Sequence, residues 1–172
     1  MKKPFAVTVV AAFLAVVIGG CGYRIGSIMH PQIHSIAIAP VTNETAAYNV
    51  GPQVRGLLCE CFQQDGSLQL KRESNADCIL YARVTHIEFK KSSWSSYNDA
   101  EKYVPIEWKV TMTIEYSVVI PGDLKPLMPK KNAKGSATFM TGADMEAGRV
   151  SGIRQAAFDA SKKIVHAVTE GW

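Results

Sequence analysis

The chain has 172 residues, 47% of them hydrophobic and 20% charged, with a formal net charge of +4. Without Lys2 and Lys3, which belong to a leader, 17 basic side chains face 15 acidic ones, too even a balance for nucleic acid to be the main partner. His30, His34, His86 and His166 are scattered without metal-ligand spacing, and Cys59-Glu60-Cys61 offers two thiols where a zinc site needs about four ligands, so no metal or other cofactor is expected.

Residues 1–20 read as a secretory signal. Lys2 and Lys3 form a positive start, Phe5 to Ile18 an uncharged apolar run, and Gly19 and Gly20 the small residues before a cleavage point. A membrane-spanning helix needs about 20 apolar residues, and this run is shorter. Ile18-Gly19-Gly20-Cys21 resembles the bacterial lipobox, in which the cysteine becomes the lipidated N-terminus. The residue types suit that chemistry, since a thiol is the nucleophile able to accept a diacylglyceryl group and glycines let the chain enter a peptidase extended. Each buried acyl methylene is worth about 0.8 kcal/mol, so two or three chains hold a protein on a membrane essentially permanently. Gly22 after the cysteine, by resemblance to other lipoproteins, favours the outer membrane.

Residues 21–172 fit one domain. Among the remaining cysteines, an oxidising compartment permits one pair and leaves one thiol over. Two readings stand side by side: Cys61 and Cys78 as small buried apolar residues, or a disulfide from Cys78 to Cys59 or Cys61.

"IHSIAIAP", 33–40, reads as a strand that stops at Pro40, and "VTNET" as a turn. Val54, Leu57, Leu58, Cys61 and Phe62 recur at helical spacing from Val50, with Asn49 as N-cap and Gly66 as C-terminal stop. Gly56 within that helix costs about 1 kcal/mol relative to alanine and suggests either close packing or a tolerated weakness. "SLQLKRE" is a short strand, and "DCILYARVTHIEF" a third that puts Cys78, Leu80, Ala82 and Val84 on one face. Residues 90–102 read as a polar loop.

Alternation is strongest from Ile106 to Ile120, where apolar residues interleave with Glu107, Lys109, Thr111, Thr113, Glu115 and Ser117. A strand of that length spans about 50 Å at about 3.3 Å per residue, so it bends or projects past its sheet. "PGDLKPLMPKKNAKG" then reads as a basic connection and "SATFMT" as a fifth strand. A last helix over 149–169 carries Val150, Ile153, Ala157, Ile164 and Val168 along one stripe. Helices flanking an antiparallel run imply an α+β domain, with two helices packed on one face of a mainly antiparallel sheet of four to five strands. The other face, with Glu107, Lys109 and the threonines, stays open to solvent or a partner.

Cys21-Gly22-Tyr23-Arg24, "HSIAIAPVTNET", the amphipathic helix, "ADCILYARVTHIEF" and "AAFDASKKIVHAVTEGW" together resemble the LptE family of lipopolysaccharide-assembly lipoproteins, over nearly the whole of residues 21–172. The resemblance implies a periplasm-facing α+β domain lipid-anchored in the outer membrane, which plugs and helps assemble the LptD β-barrel and contacts lipopolysaccharide on its way to the cell surface. A wet barrel interior suits an open polar sheet face. Anionic lipid phosphates suit a slight excess of lysine, which binds phosphate as a point charge. Two candidate contact regions stand out: Lys90, Lys91, Trp94, Tyr97 and Lys102 in the first loop, and the Lys125–Lys134 connection with Lys130 and Lys131. The alternative is another envelope lipoprotein, accessory to a secretion channel or a cell-wall synthase. Neither a G-x-S-x-G, a P-loop, a dinucleotide fingerprint nor a paired-carboxylate site occurs, so no enzyme is expected.

Overall fold

The structure, a computed structural model, describes residues 32–96, 103–140 and 144–170, and only the backbone of 93–96 and 103–106. The order is β1 (Ser35–Ile38), β2 (Thr42–Asn43), α1 (Val50–Asp65), β3 (Gln69–Leu70), a 3₁₀ turn (Glu73–Asn75), β4 (Cys78–Ser96), β5 (Tyr103–Val119), β6 (Met128–Met140) and α2 (Met145–Glu170). The strands form one six-stranded sheet in the order β3-β1-β4-β5-β6, with β2 extending the β1 side of β4. β4, β5 and β6 pair antiparallel, whereas β1 runs parallel to both β3 and β4. The expected α+β architecture is therefore present, as a mixed sheet with one strand more than the upper end of the expected range.

All four residues of β1 are buried, because a short parallel strand between two neighbours has no wet face. Asp77 fastens its start. The Asp77 carboxylate accepts the Ser35 hydroxyl (2.8 Å) and the Ser35 and His34 backbone N–H groups (2.9 and 3.0 Å), and the Asp77 N–H donates back to Ser35 Oγ (3.1 Å). These bonds, the Ser35 hydroxyl first, hold the carboxyl below its ordinary range. A depressed native value means the stabilisation is complete above the unfolded carboxylate range and fades as pH falls through the native one. Asp77→Ala is thus expected to lower the urea midpoint at neutral pH, with the gap from the parent chain narrowing in acid. A gap that persists unchanged in acid would show that the carboxylate's charge is not what holds β1.

The turn after β1 is built by Asn43, whose Oδ1 accepts the Thr45 N–H (3.0 Å) and hydroxyl (2.7 Å) while its Nδ2 donates to the Ala47 carbonyl (2.7 Å). Asn49 precedes α1 as expected but makes no capping bond; it sits in the left-handed region at φ 58°, which asparagine tolerates. Gly66 ends the helix as expected, at φ 71° with its N–H donating to the Phe62 carbonyl. Val54, Leu57, Leu58, Cys61 and Phe62 are all buried beneath it. Gly56 answers the question of its packing: a Cβ there would meet nothing within 4 Å, so no neighbour requires the glycine.

In β4, Cys78, Leu80, Ala82 and Val84 face the core as expected. The register then slips by one residue between Val84 and His86. That bulge returns Ile87 and Phe89 to the core side, where they pack on the apolar cluster. In β5 the alternation holds, with Val110, Met112, Ile114, Tyr116 and Val118 buried.

Two segments differ from expectation. The first loop begins later than 90, because β4 continues to Ser96 and β5 already starts at Tyr103, a pairing that satisfies backbone groups a loop would leave to water. The basic connection narrows to 120–127, because β6 begins at Met128. Pro129 is tolerated there since β6 is an edge strand, slipped against β5 between Tyr116 and Val118. The 67–73 strand shrinks to Gln69–Leu70.

Helix α2 lies on β6 through small residues. A Cβ on Gly135 would collide with the Ala156 carbonyl oxygen and the Ala160 backbone nitrogen, and one on Gly152 would come within 2.7 Å of the Phe139 ring. The buried stripe is Gly152, Ile153, Ala156, Ala157, Ala160, Ile164, Val165 and Val168; Val150, expected on it, is 51% exposed because this small-residue face turns it outward. Asp144 caps the helix by accepting the Ala147 N–H (3.0 Å). α2 also guards the free edge of β6: Asp159 accepts the Ser136 N–H (3.0 Å), and Lys163 donates to the Lys134 carbonyl and to Asp159 (both 2.8 Å).

Candidate functional site

Both helices cover one face of the sheet, and among the described residues nothing covers the opposite face of β4, β5 and β6. Across it lie Tyr81, Arg83, Thr111, Thr113, Glu115, Ser117, Lys134 and Ser136, exposed or half-buried. At its centre Arg83 bridges two carboxylates, Glu44 and Glu115, each at 2.7 Å, and Lys130 reaches Glu115 at 3.3 Å. The Arg83 hydrogen bond, then Lys130, holds the Glu115 carboxyl below its ordinary range, while Glu115 raises the already high Arg83 guanidinium. These pairs are solvated, so they set a pattern of alternating charge more than they stabilise the fold.

Towards the far end of the β4–β5 hairpin, the helix side of the sheet carries an aromatic group. Phe89 and Phe139 meet edge to face with centroids 6.4 Å apart. The Arg149 guanidinium lies 5.3 Å from the Phe89 centroid, and Lys91 Nζ lies 5.7 Å from that of Trp108. The Trp108 Nε1 is buried with no hydrogen-bond partner among the described residues. β5 outruns β6 here, since Glu107 pairs with Met140 at the end of β6. The hairpin thus projects past the sheet, one of the two outcomes its length implied.

The lysines singled out from sequence do not converge. Lys90 and Lys91 are exposed on opposite faces of β4: Lys90 pairs with Glu88 on the open side (3.1 Å), and Lys91 lies over Trp108 on the helix side. Trp94 is in β4 opposite Pro105, and its side chain lies outside the description. Tyr97, Lys102 and Cys21 fall outside the described residues. Lys130 and Lys131 are exposed near the start of β6, on a strand and not in the expected loop. Lys90 is level with Thr138, eight residues along β6 from Lys130, a separation of about 26 Å.

Sequence reasoning missed Glu44, Arg83, Phe139 and Arg149. The parity switch from Val84 to Ile87 was the available signal that β4 bends and carries its aromatic end back to the core side.

A cavity of about 460 Å³ opens between the loop before α1 and the first turns of α2, lined by Tyr48, Asn49, Gln53, Glu146, Arg149 and Val150. Among the described residues no group of three or more His, Cys, Asp or Glu could hold a metal, and no helix is long and apolar enough to cross a membrane. Cys59, Cys61 and Cys78 are free thiols, so the disulfide alternative is not formed. Cys61 and Cys78 are buried as the other reading expected, and burial pushes the Cys78 thiol up to about 11, far from reactive thiolate chemistry.

No family model matches the chain, and no curated protein matches it in sequence. Solved structures do match in fold. A DUF330 protein from Xanthomonas campestris aligns with TM-score 0.55 at 10% identity, over 85% of this chain and 90% of its own. A minor lipoprotein from Acinetobacter baumannii aligns with TM-score 0.52 at 9% identity, over 80% and 94%. The PelC dodecamer subunit from Paraburkholderia phytofirmans aligns with TM-score 0.50 at 10% identity, over 84% and 94%. At such identities the likeness is one of fold. This chain adopts a fold found among bacterial lipoproteins.

Proposed function

We propose that this chain is a non-catalytic, lipid-anchored lipoprotein of LptE type, held through Cys21 in the outer membrane on its periplasmic side. It docks into an LptD-type β-barrel, helps that barrel assemble, and contacts lipopolysaccharide in transit. The observation that carries the reading is the polar face of β4, β5 and β6 left uncovered by the described residues, opposite the face on which both helices pack. Its interleaved threonine, serine, lysine and glutamate suit the polar wall of a barrel lumen, where hydrogen-bonding groups meet water and side chains together. The lipobox and the family resemblance of residues 21–172 supply the compartment and the partner. Lys90 and Lys91 on β4 and the lysines on β6 are the groups offered to lipid phosphates.

One observation favours a second reading. Likeness in fold to a subunit of the PelC dodecamer suits the alternative of an envelope lipoprotein that assembles with copies of itself, as accessory factor of a secretion channel or a cell-wall synthase. Co-purification from envelope membranes separates the two. A stoichiometric β-barrel of LptD type is expected; recovery with a homo-oligomeric secretion ring or an inner-membrane synthase would overturn the reading. Cys21→Ser is expected to abolish acyl labelling and to leave an unprocessed precursor. Undiminished labelling would remove the anchor from the proposal.

A further inference from the structure

We infer that the turn between β5 and β6, with Leu124 at its tip, rests on the lipid surface to which the chain is anchored. The inference deepens the proposed function and rests on its reading of Cys21 as acylated.

Strand register places the turn. β1 begins at Ser35 and pairs parallel with the start of β4, Ile36 lying opposite Cys78. The start of β4 pairs antiparallel with the end of β5, Ile79 opposite Val119, and Val118 lies opposite Met128 at the start of β6. Residues 120–127 therefore sit at the same end of the sheet as the entry of the chain into β1. Eleven residue steps separate Cys21 from Gln32, a reach of at most about 40 Å. An acylated Cys21 keeps this end of the domain near the bilayer.

The turn is shaped to present one side chain. Ile120 to Asp123 close a turn through the Asp123 N–H and the Ile120 carbonyl (3.1 Å), with Pro121 next and Gly122 at φ 94°, the combination of a type II turn. Leu124 follows immediately and is fully exposed, at 104%. Leu127, at the other end of the loop, packs against the core, so the loop is anchored at its base while its tip contributes nothing to the fold. Lys125, beside Leu124, is also exposed and can reach a lipid phosphate while its stem lies along the acyl boundary. A lone exposed leucine is ordinary on a soluble surface. Placed on a proline-stiffened turn at the tethered end, it has an apolar phase within reach. Insertion there would give the domain a second point of attachment and fix its orientation. The β4–β5 hairpin would then point away from the membrane, since the 19 residues of β4 extend about 60 Å.

The test uses the full, processed chain in phosphatidylethanolamine–phosphatidylglycerol vesicles, in a Cys59→Ser background so that only buried native thiols remain. An environment-sensitive dye is placed at Leu124→Cys or, as a control near the opposite end of the sheet, at the 96%-exposed Tyr48→Cys. Blue-shifted emission and quenching by a lipid-phase quencher are expected at 124 and neither at 48. An acylated, vesicle-bound chain whose position 124 stays as wet as 48 would overturn this inference alone. A chain without acyl label that fails to float with the vesicles would overturn the lipidation reading, and the inference with it.

Discussion

Gly135→Val is expected to destabilise the domain by about 3 kcal/mol or more, the upper range for overpacking, and to release α2 from the sheet. The added side chain would collide with the Ala156 carbonyl oxygen and the Ala160 backbone nitrogen, and its nearest side-chain neighbour, the Ala160 Cβ, lies 2.8 Å away. Backbone within a regular helix cannot rotate aside as a side chain tip can, so the strand and helix must separate. That separation would also break the Asp159 and Lys163 contacts to β6. Urea unfolding followed by far-ultraviolet circular dichroism measures the loss. Gly56→Ala is the matched control: its Cβ meets nothing, and it is expected to stabilise α1 by about 0.5–1 kcal/mol. A Gly135→Val chain as stable as its parent would mean that α2 does not lie this close to β6.

Loss of the proposed barrel partner is the expected result of Thr111→Arg. Thr111 sits at the middle of the uncovered face, flanked by Glu88 on β4 and Ser136 on β6. A long cation there adds bulk and a charge to a surface proposed to be buried against another protein, and mismatching such contacts commonly costs several kcal/mol of affinity. A half-buried surface position away from caps and core usually changes stability by no more than about 0.5 kcal/mol, so an unchanged urea midpoint should accompany the lost partner. Retention of a stoichiometric partner by Thr111→Arg would move the docking surface elsewhere, to the projecting hairpin or the helices.

Both experiments bear on features of different legibility. The buried face of β5 could be read directly, since an alternating strand beside two neighbours has one wet and one dry side, and Val110 to Val118 follow it without a slip. α1 was equally plain, with its stop at Gly66. The 90–102 segment was not. Lys90, Lys91 and the serines are polar on both sides, so periodicity carries no signal, and only pairing with the apolar-alternating β5 makes that stretch a strand. Residues 128–135 misled for a related reason: Pro129 and three lysines read as a connection, yet an edge strand can lack one N–H and keep lysines in water.

The candidate site was legible in outline only. An open sheet face follows from the wet side of β5, but its charge pattern depends on Glu44, 39 positions from Arg83, and on Lys130, 15 positions from Glu115, neither within local reach. Glu44 meets Arg83 because β2 pairs with β4, and Lys130 meets Glu115 because β6 pairs with β5.

By itself the sequence determined the two helices and the α+β class, because these rest on local composition and on periods of 2 and 3.6 residues; the leader and its lipobox cysteine are expectations that rest on sequence alone. Tertiary structure alone decided that β1 runs parallel to its neighbours, that the β4–β5 hairpin continues past the sheet, and that the two lysine groups lie at different levels. It also decided that Leu124 shares an end with the entry of the chain. Each of those is a matter of which backbone groups pair across long sequence separations, and pairing partners are not encoded in any single segment.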